Sequence, residues 1–269
     1  MMLLSQTGVP RRGSRRLGAW LVFALFAAGT ILAAQSAVQL PGLLQQLQSR
    51  DLNTRVTAYS AILEIPHADT RPEVQKAFVQ LLLTEEQVTD AAWLQDPADG
   101  PDGVYGEGYG GDYLESLVGE VVAYAELTDS EDPATVTALV HTTAGDPASP
   151  RVAWLASRTS LKPSELAAMI KSPILMERSM GRSNLAGLII ANRNGKRKLS
   201  DADHALVKRA LIASLKDPAL DGRNDAVDKI SAAGDPDPDF IKALTDAAAS
   251  DPQMRRSALR AASDLKSVH

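Results

Sequence analysis

A short pattern recurs along this chain, and a recurring unit narrows the accessible folds more than any single residue does. Asp51, Arg55 and Ala58 stand in a register that returns as Asp251, Arg255 and Ala258 near the end of the sequence. Apolar residues follow each copy at helical spacing: Tyr59, Ile62 and Leu63 in the first, Leu259, Ala262 and Leu265 in the last. Between them lies Asp217-Pro218, then Arg223, Ala226, Val227 and Ile230. Weaker copies are Asp146-Pro147 with Arg151 and Ala153, and Arg182 leading into Leu185, Ala186, Leu188 and Ile189. The arginines at 151, 182, 223 and 255 are spaced by 31, 41 and 32 residues, about one helix pair with its turns.

The segments around these markers read as helices. Hydrophobic residues make up 45% of the chain and aromatics only 4%, so the apolar positions are mostly Ala, Leu, Val and Ile. Ala and Leu favour tightly packed helices over a sheet sandwich. Apolar residues three and four apart predict helices over 42–49 and 52–64, 72–88 and 112–127, 133–144 and 149–158, 163–171 and 174–192, 200–216 and 221–233, and 237–249 and 252–266. Pro72, Pro133, Pro163 and Pro238 sit at first-turn positions, with Asp132, Lys162 and Asp237 just before three of them.

An Asp-Pro turn, an Arg and a small Ala three residues on resembles the HEAT repeat, over roughly residues 40–267. The resemblance implies an all-α fold, a right-handed α-solenoid of about six helix pairs. It also implies that the Asp caps the second helix or its turn and that the Arg (Arg55, Arg151, Arg182, Arg223, Arg255) bonds across to the neighbouring repeat. An irregular α-helical bundle has the same 3.6-residue periodicity and stays open as an alternative.

The first 36 residues stand apart from this pattern. Arg11, Arg12, Arg15 and Arg16 precede an uncharged apolar run, Leu17 to Ala34, that ends in small residues. That order is the layout of a secretory signal peptide, with processing expected after Ser36 or, as a weaker site, after Ala34. An uncleaved inner-membrane anchor over 17–34 is the alternative, since ~20 apolar residues span a bilayer. Either way residues 37–269 are expected outside the cytoplasm, periplasmic or secreted. No cysteine is present, so no disulfide supports the exported body. The chain has 28 basic and 33 acidic residues, a net of −5. Without the four leader arginines the balance is 24 against 33, a net of −9, which argues against a nucleic-acid ligand.

One segment breaks the repeat, the loop expected from Thr89 to Gly111. It is rich in Asp, Gly and Tyr, and long loops inside compact arrays are commonly functional or disordered. Asp96, Asp99, Asp102 and Glu107 supply hard oxygen ligands suited to calcium. Asp96 and Glu107 have the spacing of the first and last EF-hand ligands, but Ala98 and Gly100 occupy positions where side-chain ligands are needed. The same stretch, with Trp93, Tyr105, Tyr109 and Tyr113, also reads as an aromatic recognition surface for a protein or peptide. A solvated insertion with no dedicated ligand is the third reading.

Signals for catalysis are weak. Gly181-Arg182-Ser183-Asn184-Leu185 lacks the closing glycine of a nucleophile elbow. His67, His141, His204 and His269 are scattered, without a second His at ligand spacing. Glu85-Glu86 and the pair Asp235 and Asp237 read as helix-end acids. The one dense basic stretch, Arg193 with Lys196, Arg197 and Lys198, reads as a connector after a helix, with anionic lipid or glycan as the alternative contact. The expectation is a non-catalytic interaction or scaffold module of the cell envelope, without a cofactor and touching the membrane only through the N-terminal segment. The alternative is a metal-dependent envelope enzyme or calcium-binding protein using the acidic loop 96–112.

Overall fold

The computed structural model describes residues 39–93, 109–143 and 145–267, and every regular element among them is an α-helix. The N-terminal leader, and with it the processing sites, lies outside the described residues, as do Asp96, Asp99, Asp102, Tyr105, Glu107 and His269.

The chain divides into two compact units, Met1–Ala68 and Asp69–His269. The first holds a helix over residues 39–46 (α1) and α2, Leu52–Leu63. Asp51 caps α2, accepting from the Thr54 N–H and hydroxyl at 2.8 and 2.6 Å. One face of α2 buries Val56, Ala58, Tyr59 and Ile62, whereas Leu63, expected on the same stripe, closes the helix 37% exposed.

The second unit contains α3 (Pro72–Trp93), α4 (Tyr109–Leu127), α5 (Pro133–Val140), α6 (Pro150–Ala156), α7 (Pro163–Met169), α8 (Leu175–Arg193), α9 (Asp201–Ser214), α10 (Leu220–Ala233), α11 (Pro238–Ser250) and α12 (Arg255–Lys266). The order matches the expected pairs, with corrections to the boundaries of α3, α4, α5 and α6. Helix α3 runs past 88 to Trp93, because no Gly or Pro interrupts the stretch Thr84–Trp93, and α4 already begins at Tyr109, with Gly110 and Gly111 in its first turn. Glu85 and Glu86 therefore lie inside α3 and not at its end. Helices α5 and α6 are shorter than expected, ending at Val140 and Ala156.

Proline opens α3, α5, α6, α7 and α11, where its missing N–H would have had no partner anyway. Asp132, Ser149, Ser200 and Asp237 each accept from a first-turn N–H, while Lys162 precedes Pro163 without capping α7. Helix α10 ends on Gly234 in the left-handed region, φ 62°, a conformation that costs a residue with a Cβ.

Packing from α6 onward joins helices one or two places apart in the chain, apart from a small contact of α8 with α5. Helices α7, α9 and α11 form one row, and α6, α8, α10 and α12 form a second row against it. Between the rows lie Leu166, Leu185, Leu188, Ile189, Val207, Leu211, Val227, Ile230, Phe240 and Leu244, all nearly or fully buried. Small residues set the spacing. A Cβ on Gly187 would lie 2.3 Å from Cγ1 of Val152, so α8 and α6 approach more closely there than any larger residue permits.

Candidate binding groove

Three arginines share one local geometry. Four residues into α2, Arg55 donates Nη1 to the carbonyls of Ser49 and Arg50, both at 3.0 Å. At the same position of α8, Arg178 donates Nη1 to Ser172 and Pro173, both at 2.9 Å. At the same position of α10, Arg223 reaches Asp217 and Pro218 at 3.0 and 3.3 Å. In each case the guanidinium latches the second helix of a pair to the turn that leads into it. Arg151 does a related job through Thr142 O at 2.7 Å, and Arg255 through Ala248 O at 3.4 Å.

The register therefore passes through Arg178, and Arg182 is one turn too far along. The small residue three positions on is Ala58 after Arg55, Ala226 after Arg223 and Ala258 after Arg255, and it is Gly181 after Arg178. A Cβ on Gly181 would lie 2.9 Å from Met169 Cβ and 3.1 Å from Leu166 O, so α7 crosses α8 at this glycine. Requiring Ala at that place hides the copy.

Two of these arginines also reach forward to the next pair. Arg178 grips Asp217 with Nε and Nη2 at 2.7 and 3.0 Å, and Arg223 Nε meets Asp251 at 2.9 Å. Arg182 adds a second donor to Asp217 at 2.9 Å and bonds Asp225 at 2.5 Å. Lys229 completes the cluster through Asp225 at 2.7 Å. The side chains of Arg182 and Asp217 are 0% and 1% exposed. Burial alone would push the Asp217 carboxyl up, but hydrogen bonds from Arg178, the Ala219 N–H and Arg182 outweigh it and hold the group below its ordinary 3.8. Gly222 makes room for this carboxylate: a Cβ there would lie 2.3 Å from Asp217 Cγ.

Similar ties run along the first row and between turns. Lys208 of α9 bonds Asp237 and Asp239 at the start of α11, at 2.9 and 2.7 Å. Arg193 donates to Ala233 O at 2.6 Å, and Arg197 donates to Arg158 O and to Leu161 O. Two of the four cations in the basic stretch thus close helix ends and connectors, leaving Lys196 and Lys198 exposed.

The surface of the first row carries a groove of about 500 Å³ between α7 and α9. Ala167, Ala168, Ala210 and Ala213 make it shallow-walled, with Ile170 and Leu206 half-buried along it. Lys171, Arg209 and Lys216 stand exposed on its rim. None of the three has an ion-pair partner among the described residues, and the one carboxylate in the lining, Asp217, is already committed to Arg178 and Arg182. Lys171 and Lys216 hold equivalent places, each two residues beyond the end of its helix. A second groove of about 340 Å³ lies among α3, α4 and α5, lined by Lys76, Tyr124 and the capping Asp132. A third, of about 450 Å³, lies against α4 with Glu126, Asp146 and Arg151 around it.

The expected aromatic site fares differently residue by residue. Tyr113 is 4% exposed inside α4, so its ring belongs to the interior and not to a presented surface. Trp93 and Tyr109 are the helical ends that flank the undescribed segment. Among the described residues no three His, Asp or Glu side chains gather as a metal-holding group. His204 Nε2 lies 3.6 Å from Asp235. No helix among the described residues is long and apolar enough to cross a membrane. Comparison with protein-family models, curated proteins and solved structures returned no match for this chain.

Proposed function

We propose that this chain is a non-catalytic protein-interaction scaffold of the cell envelope, built as a HEAT-like solenoid and exported by its N-terminal segment. The observation that carries the reading is the row-by-row stacking from α6 to α12, with arginine latches repeated at one position of successive second helices. Stacks of this kind present long continuous surfaces, and such surfaces recognise proteins or peptides by shape and distributed polar contacts. The buried polar groups of the described region support the same reading. Arg178, Arg182, Asp217 and Asn184 are engaged in joining helices.

Cross-linking of the tagged full chain in intact cells, followed by denaturing capture, tests the proposal. A discrete adduct with another protein is expected in the envelope fraction, carried by a chain whose N-terminus maps near residue 35 or 37. Recovery of the chain unprocessed in the cytosol, or free of adducts at saturating cross-linker, would overturn it.

A further inference from the structure

The α7–α9 groove has three cations in its lining where each of the other two has one, and its single carboxylate is committed to Arg178 and Arg182. Lys171 and Lys216 flank the ends of neighbouring helices, where a cation is favoured by the helix dipole, but Arg209 lies inside α9 and has no such explanation. The alanine walls add an apolar strip recessed between two helices. A flat headgroup layer meets protruding groups first, whereas a recess with a cationic rim suits a slender chain that carries carboxylates beside small apolar side chains. The whole chain carries a net charge of −5. Its long-range field therefore opposes an acidic ligand, so that binding has to come from this local patch.

We propose that the groove between α7 and α9 seats an acidic peptide segment of a partner protein, with Lys171, Arg209 and Lys216 pairing its carboxylates and Ala168, Ala210 and Ala213 receiving its apolar side chains. The assignment rests on the scaffold reading and names the chemistry of the ligand and its place.

The test uses the full chain and a fluorescein-labelled peptide of Glu and Ala, read by fluorescence anisotropy. Binding is expected, weakening as salt is raised. The combined variant K171E/R209E/K216E is expected to lose about tenfold or more in affinity, with unchanged far-UV circular dichroism. Ala213→Trp, which leaves the rim intact and fills the recess, is expected to lose affinity as well. The pair K196E/K198E, which alters equally exposed lysines in the α8–α9 connector, should leave binding unchanged. Equal loss in that pair, or no loss in Ala213→Trp, would show general charge attraction and overturn the groove. Preferential binding of phosphatidylglycerol vesicles or of a single-stranded oligonucleotide through the same three cations would overturn the peptide assignment. Retention of the in-cell adduct by the triple variant would also reject this groove while leaving the scaffold reading standing.

Discussion

Asp217 is the residue on which the most depends. It accepts from two arginines and a backbone N–H at the junction of two helix pairs. Removing one partner of a buried ion pair leaves the other charge stranded, typically at a cost of ~3–5 kcal/mol. Asp217→Ala is expected to destabilise the fold by that order, measured by urea unfolding. The same residue sets part of the acid limit. A carboxyl held below its unfolded value contributes stability that is complete above that value and lost as the pH falls through the folded one. Asp217 and Asp237 are both held below 3.8, so stability should decline as the pH drops below about 4. Asp217→Asn, although less stable at neutral pH, should show a shallower decline across that window. An unchanged acid slope in the Asn variant would remove Asp217 from the account.

At the scale of elements, glycines decide how closely helices approach. Gly187 lets α8 pass α6, and Gly222 lets α10 pass over the Asp217 carboxylate. Adding a methyl group at a site without room typically costs ~1–3 kcal/mol, and Gly187→Ala and Gly222→Ala are each expected to lower the urea midpoint accordingly. Their signatures should differ. Gly222→Ala displaces the charged cluster and should be non-additive with Asp217→Ala, whereas Gly187→Ala lies elsewhere and should add. The starts of α3, α5, α7 and α11 were readable from Pro72, Pro133, Pro163 and Pro238, since proline pre-sets the first turn locally. Helix ends were less so: the continuation of α3 to Trp93 depends on a run of ordinary helix formers that no local stop signal closes.

Across the whole second unit, the contact order makes stability local. Helix α8 touches α5, α6, α7, α9 and α10, while α12 touches only α10 and α11 among its main contacts. In a stacked array each unit is stabilised by its neighbours, so end units open before central ones. Hydrogen exchange read by mass spectrometry should show the slowest amides in α8 and faster exchange in α12. Uniform protection would favour a single cooperative bundle. Adding calcium or zinc should leave the melting temperature unchanged; a rise would point to a metal site in the acidic segment 96–112.

Sequence alone determined the helical class, the order of the pairs and the existence of a recurring arginine, because each rests on spacing along the chain: 3.6 residues per turn, proline at a first turn, an Arg four to six residues after Asp51, Asp146, Asp217 and Asp251. It did not determine which arginine holds the register in the copy at α8. Arg178 and Arg182 lie one turn apart on the same face, and only the position of the preceding turn's carbonyls tells them apart. Nor did it reveal the groove. Lys171, Arg209 and Lys216 are spread over 46 residues with no pattern between them, and they converge because α7 and α9 stack side by side. A periodic signal survives in the sequence when its cause is local; a site assembled from two stacked helices has no local cause, and only the tertiary structure could bring it together.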